Sequence, residues 1–243
     1  MKTISHFIAI VWLCAVAPAL GFIINPFRFV VAGGGGDTYF SSVVLLAHFN
    51  GAGSSTTFTD SSSYARTLTS NGGAALSTTS PKFGSASLLT DGVDDYASAA
   101  ASADFSFGTG TDFTIEFWLK SDSSDSTGCG VALVGSSLYV AIYGGTLYFG
   151  NGAVNMVTAS WSGKDDAWQF VLARRSGSTC ELFINGTSQG TYGSSVTIGG
   201  NQELRINQAP VWGAYGKGYV DDLRITNGVA RANAVPTAAH PDS

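Results

Sequence analysis

Two carboxyl groups held about 5 to 10 Å apart would equip a chain to cleave a glycosidic bond. Glutamate occurs at only three positions, Glu116, Glu181 and Glu203, no two of them neighbours in the chain. Glu116 lies in "FTIEFWLK" with Trp118 on the same side of the alternation, so one carboxylate beside an aromatic ring is available. The simpler reading of Glu116 is a hydrogen-bonded residue on a strand face. A Ser-His-Asp arrangement would have to use His48, because His6 falls in the leader and His240 in the terminal tail. In "VVLLAHFN" that histidine alternates with apolar neighbours, a pattern that suits packing or a satisfied hydrogen bond.

Aspartates concentrate in turn-like strings: Asp60 in "FTDSSS", Asp91, Asp94 and Asp95 in "TDGVDDY", Asp165 and Asp166 in "GKDDAW", Asp221 and Asp222 in "YVDDLRI". Calcium is held by several oxygens, usually a few carboxylates with carbonyls from irregular backbone, which glycine-rich turns supply. Asp60, Asp94 and Asp221 are the expected ligands of such an ion. The competing reading is turn capping for Asp60 and Asp91, and a bond from a strand to a neighbouring loop for Asp221. Sugars are recognised by flat aromatic faces set among amides and hydroxyls. "NQAPVWGAYGKGY" places Trp212 and Tyr215 among glycines, where a ring cannot be buried by its own strand, and Trp161 in "ASWSGKDD" is a second such residue. These rings could instead cover a sheet edge or a subunit contact, and Trp118 and Trp168, in regular strands, read as packing residues.

Strands must position these groups. In "FTIEFWLK", Phe113, Ile115, Phe117 and Leu119 face one way and Thr114, Glu116, Trp118 and Lys120 the other. Asn185-Gly186, between "CELFI" and "TSQG", is a two-residue hairpin signal, which also explains a formal glycosylation sequon at Asn185. Strands are expected near 43–49, 67–70, 86–90, 96–99, 112–121, 131–135, 138–142, 146–150, 168–175, 179–185, 187–192, 196–198, 203–206 and 218–226. No segment after residue 40 sustains a helical apolar stripe. Many short strands punctuated by glycine mean an all-β, antiparallel two-sheet sandwich, spanning 40–236, with 237–243 as an exposed tail.

Composition narrows the partners. Charged residues are 12 % of the chain, about half the roughly 25 % of an ordinary soluble domain, so hydroxyls and amides must solubilise the surface. The net charge of −5 and the lack of a basic run argue against nucleic acid, whose phosphates need a concentrated positive field. Cys14, Cys129 and Cys180 have no metal-binding spacing; Cys129 and Cys180 either pair or are buried as separate thiols.

The first 20 residues form an apolar leader, and 21–39 an arm with a glycine-rich joint. Phe7 to Ile24 carries no charge. As a secretion signal it would be cut near Ala19; as a membrane span it is short and broken by Pro18, so spanning is disfavoured. An exposed "FIINPFRF" would be an apolar liability. Phe22, Ile23, Ile24, Phe27 and Phe29 are therefore expected to bury against another chain as an assembly handle.

Five strings, "VVLLAHFNGAGSSTTFTDSSS", "KFGSASLLTDGVDDYAS", "DFTIEFWLK", "WQFVLARRSGSTCELFINGTSQG" and "GYVDDLRITNGVAR", resemble in order the laminin-G-like, concanavalin A-like jelly roll. The resemblance implies a sandwich with a curved sheet used to bind sugars, and a calcium in many members, although Asn50 stands where similar proteins carry an aspartate. Related glucanases set glutamates closely along one strand around an aspartate, a motif absent here. "GFIINPFRF" with its glycine spacer is similar to the start of laminin-G-like proteins of tailed bacteriophages and prophages. That implies a non-enzymatic lectin-like module in the tail or fibre region of a virion, touching host-surface polysaccharide and meeting other virion proteins, or copies of itself, through the arm. The alternatives are a structural decoration protein docked by the arm, a polysaccharide hydrolase on the same sandwich, and a secreted bacterial protein.

Overall fold

The computed structural model describes residues 36–135, 138–152, 154–193 and 197–243. The chain divides into Met1–Thr38 and Tyr39–Ser243, and the fold that follows is that of the second unit. The leader, its cleavage site and the arm residues Phe22, Ile23, Ile24, Phe27 and Phe29 lie outside the described residues. Among the described residues no helix is long and apolar enough to cross a membrane.

The strands are β1 (Val43–Ala47), β2 (Phe58–Thr59), β3 (Thr67–Asn71), β4 (Ala75–Ser77), β5 (Ser87–Asp91) and β6 (Tyr96–Ser102). They continue as β7 (Phe113–Ser121), β8 (Gly130–Val134), β9 (Leu138–Tyr143), β10 (Thr146–Asn151), β11 (Val154–Ser160) and β12 (Gln169–Ser176). The last are β13 (Thr179–Ile184), β14 (Thr187–Gly193), β15 (Gln202–Ile206), β16 (Gln208–Ala209), β17 (Ala214–Tyr215) and β18 (Lys217–Asn227). All pairings are antiparallel. The first sheet runs β14-β13-β12-β7-β18-β5-β4, with β1 joined to β18 beyond β5; the second runs β11-β10-β9-β8-β15-β6-β3-β2. β16 and β17 pair only with each other.

The alternation read in "FTIEFWLK" decides how the sheets meet. Phe113, Ile115, Phe117 and Leu119 enter one core cluster with Val131, Leu133, Val140, Ile142, Leu147 and Phe149 of the second sheet. Burying each such side chain contributes about 1.5–3 kcal/mol. The Asn185-Gly186 turn joins β13 and β14 as expected, both residues at positive φ. Of the expected strand 196–198, Ile198 makes a single bridge to Phe107. β11 falls outside the expected strands, as do the short strands β2 and β4.

Cys129 and Cys180 are free, buried thiols. Burial raises both pKa values, that of Cys180 to about 11.

The outer face of the first sheet is sealed as well. Trp118, Phe170, Leu172 and Phe183 form a second apolar cluster there, with Phe83 and Trp168 against it. Beside it the chain from Val229 onwards is held by hydrogen bonds, and the expected tail 237–243 is exposed at every residue except His240. Thr114 Oγ1 donates to the Val229 carbonyl and accepts from the Arg231 amide, Asn233 reaches the Gly186 carbonyl, and the His240 amide donates to Asp222. His240 is buried and Asp242 bonds His48. The segment is poor in apolar residues because polar groups hold it.

Candidate functional site

The second sheet carries a concentrated aromatic surface. In the β9–β10 hairpin, Tyr139, Ala141 and Tyr143 alternate with core residues on one strand, and Thr146, Tyr148 and Gly150 on the other. The pairing sets Tyr148 against Ala141 and Tyr139 against Gly150. All three tyrosines thus stand on the same outer face. Trp212 comes down on them from the short 3-10 turn Pro210–Trp212 between β16 and β17, its ring centroid 5.0 Å from Tyr139, 5.0 Å from Tyr143 and 5.3 Å from Tyr148. Trp212 covers Tyr139, stays half-buried itself, and leaves Tyr143 44 % exposed.

Small residues make this arrangement possible. A Cβ on Gly128 would lie 2.7 Å from the Tyr215 backbone, so the β16–β17 hairpin can settle on the sheet only over a glycine. A Cβ on Gly150 would lie 2.6 Å from Tyr139 Oη and 2.7 Å from the Val154 carbonyl oxygen. Tyr139 Oη instead donates to Asn155 Oδ1 at 2.7 Å, and burial raises its pKa. Gly150→Ala is therefore expected to cost about 1–3 kcal/mol through overpacking, read as a lower urea midpoint. An unchanged midpoint would show that the Tyr139 ring has room to slide.

A second aromatic pair adjoins the first cluster. Tyr215 lies 6.1 Å from Tyr96 at 47°, and the Arg205 guanidinium sits 5.2 Å over the Tyr96 ring. Both tyrosines are half-buried. The structure thus gathers Trp212 and Tyr215 with Tyr96, Tyr139, Tyr143 and Tyr148, four residues that the sequence reading did not single out.

A laminin-G-like family model, described as the concanavalin A-like lectin/glucanases superfamily, matches residues 91–235. The chain belongs to this superfamily. Its two antiparallel sheets form the superfamily's all-β jelly-roll sandwich. Comparison with curated proteins gave no match. Among solved structures, the binding domain of botulinum neurotoxin serotype G is similar, with TM-score 0.59 and 14 % identity over 79 % of this chain and 49 % of that one. A second is botulinum neurotoxin type C, described as depending on interaction with two ganglioside molecules for cell entry (TM-score 0.57, 13 % identity, 80 % and 50 % covered). A third is domain 4 of AbnA, a GH43 extracellular arabinanase from Geobacillus stearothermophilus, in complex with arabinotriose (TM-score 0.56, 16 % identity, 78 % and 95 % covered). The chain spans about half the length of the toxin chains.

Other candidates of the sequence reading are placed differently. Trp161, expected as an exposed sugar platform, has no exposed surface, and its indole Nε1 donates to Ser121 Oγ at 2.8 Å and Asp165 Oδ1 at 3.0 Å. It is a core residue with its polar edge satisfied.

The three carboxylates expected to hold calcium do not assemble. Asp60 Oδ1 accepts the Leu46 and Ser62 amides, and its Oδ2 the Ser62 hydroxyl and the Arg66 amide. It is a turn cap. Asp221 is fully buried and accepts amides of Lys82, Phe83 and Asp222; burial pushes its pKa up to about 7 against those donors. Asp94 comes together instead with Asp91 and Asp95, of which Asp95 accepts the Gly73 and Asp91 amides. The expected trio of ligands therefore does not fit a shared ion in this superfamily member.

All three glutamates are tied to arginines: Glu181 to Arg174, Glu203 to Arg205, and Glu116 to Arg224. Glu116 is 2 % exposed. Burial raises its pKa, opposed by Arg224 and Arg231. His48 Nδ1 bonds Asp222 at 2.6 Å and its Nε2 bonds Asp242 at 2.7 Å, so both ring nitrogens are occupied. Burial alone would lower its pKa, but these bonds and the aspartate charges hold it above the ordinary histidine value.

Proposed function

We propose that the chain is a non-catalytic, lectin-like module that binds glycans of a host-cell surface through the aromatic face around Trp212 and Tyr215. The observation that carries this reading is the half-exposed Trp212 ring held over three tyrosines on the outer face of a sheet. Flat rings with hydroxyls at their margins meet the C–H faces and hydroxyls of sugars. Similar structures described with arabinotriose or ganglioside point the same way. Pairing of every glutamate with an arginine, and of both His48 nitrogens with aspartates, supports binding without covalent chemistry. The setting proposed is the tail or fibre region of a phage particle, on the likeness of "GFIINPFRF" and its glycine spacer alone. Weak single sites would there be compensated by many copies.

Trp212 lies outside the core clusters, so Trp212→Ala is expected to keep its fold by circular dichroism. It is expected to lose about tenfold or more in affinity for immobilised host polysaccharide, as hot-spot aromatics do. Unchanged adsorption by Trp212→Ala, with no glycan bound by the native chain, would remove the reading.

A further inference from the structure

We infer that the aromatic face takes an uncharged polysaccharide chain, bound over at least two sugar residues, and selects against acidic glycans; this rests on the glycan-binding reading above. The guanidinium on this face is already committed. Arg205 Nε and Nη2 donate to the two carboxylate oxygens of Glu203 at 3.0 and 3.2 Å, and Nη1 donates to Gln208 Oε1 at 2.6 Å. A ligand carboxylate or sulfate would have to displace Glu203, and meet its repulsion, to reach that arginine. At the β11 margin the Lys164 ammonium donates to the Ser160 carbonyl at 2.7 Å. Between these groups the face presents rings, hydroxyls and amides: Tyr143, Tyr148 and Trp212 with the exposed Thr158 and Asn155. Such a surface complements the alternating C–H and hydroxyl faces of a neutral sugar and offers an acidic one no unpaired guanidinium among the described residues of this face, only the Lys164 ammonium at its margin.

The length of the ligand follows from the sheet. Tyr96 on β6 and Tyr139 on β9, the ring that Trp212 covers, are separated by β15 and β8, three strand spacings or about 14 Å at about 4.8 Å each. A single sugar ring does not bridge that distance. The Trp212 cluster and the Tyr96–Tyr215 pair are therefore two stacking subsites.

The test is a glycan array probed with the full chain, carrying neutral oligosaccharides of increasing length beside sialylated, uronate-bearing and sulfated ones, at low and high salt. Neutral glycans are expected to be retained, with signal insensitive to salt because no charge pair is screened, and to gain about tenfold or more on lengthening as the second subsite engages. Tyr215→Ala should erase the gain with length while sparing the shortest ligands, and Tyr215→Phe should preserve it. Retention of acidic glycans alone, fading with salt, would overturn the ligand class while leaving the glycan reading intact. Neutral binding with no dependence on length, or loss in Tyr215→Phe equal to that in Tyr215→Ala, would overturn the second subsite. A blank array would overturn both readings.

Discussion

Glu116→Ala is expected to lower the unfolding free energy by about 3–5 kcal/mol, the usual cost of removing one partner of a buried ion pair. Glu116 Oε1 lies 2.8 Å from Arg224 Nε, 2.7 Å from Arg224 Nη2 and 3.7 Å from Arg231 Nε. All three residues are less than a tenth exposed. Deleting the carboxylate removes the charge that Glu116 Oε1 offers both guanidinium groups in a low-dielectric layer. Glu116→Gln keeps the shape and a hydrogen-bond acceptor, so it should fall between wild type and alanine. Urea denaturation gives the free energy, and calorimetry should show a Tm loss of roughly 10 °C in the alanine variant, given about 2–4 °C per kcal/mol for a domain of this size. An alanine variant as stable as wild type would contradict a buried, charged Glu116. The same substitution separates the enzymatic reading, in which Glu116 would act on a glycan, from a structural one in which its loss is felt as instability.

The second large effect depends on pH. Burial holds His240 neutral and lowers its pKa to about 4, against 6.5 for an ordinary histidine. Between those values the unfolded chain binds a proton that the folded chain refuses, so this residue makes stability fall as pH falls, by about 3 kcal/mol over the window. His48 works on the other side. Its pKa is raised, so its contribution is complete below 6.5 and is lost as pH rises through the folded value. Asp221, raised to about 7, takes up its proton first in the folded state and opposes His240 in the acid window. The expected result is therefore a difference curve: His240→Gln, measured against wild type by urea unfolding, should gain relative stability steadily from pH 6.5 towards pH 4. Two curves that stay parallel through that window would show that His240 is not held neutral.

How far the fold is legible in the sequence depends on how each strand is buried. β7 and β12 are long, paired on both sides and regular, and alternating strings announce them. β11 escapes the pattern because the register shifts between Phe149 and Gly150, so its buried residues, Met156, Val157 and Ala159, break the period of two. β2 and β4, of two and three residues, are too short to show any period. The burial of His240 within an otherwise exposed tail is illegible for a different reason. "PTAAHPDS" contains little apolar surface, and its partners, Asp222 and His48, are distant in sequence. Hydrophobic patterning cannot report a segment held by hydrogen bonds.

The candidate site is half visible in the same way. A glycine-rich loop gives Trp212 and Tyr215, but whether a loop ring is exposed depends on what the loop lands on. That is why Trp161, similar in context, proves to be core. The three tyrosines beneath Trp212 do carry a signal. In "LYVAIYGGTLYFG" a Gly-Gly turn reverses the chain so that positions 139, 143 and 148 fall on one side. Taken as a hairpin rather than as separate strands, the string already sets an aromatic cluster on one sheet face. The aspartates cannot be resolved in this way, because capping a turn and ligating an ion call for the same residue in the same kind of string.

The two free thiols bear on what holds the sandwich together. Cys129 sits fully buried, its sulfur 3.2 Å from the Lys217 carbonyl, and Cys180 is 2 % exposed with a pKa of about 11. Neither presents a thiolate at neutral pH, the form that oxidants and alkylating reagents attack. Cohesion of the sandwich rests on packing and on buried ion pairs, with these two sulfurs serving as small apolar fillers. Between Cys129 and Cys180 a reductant therefore finds no cross-link to break.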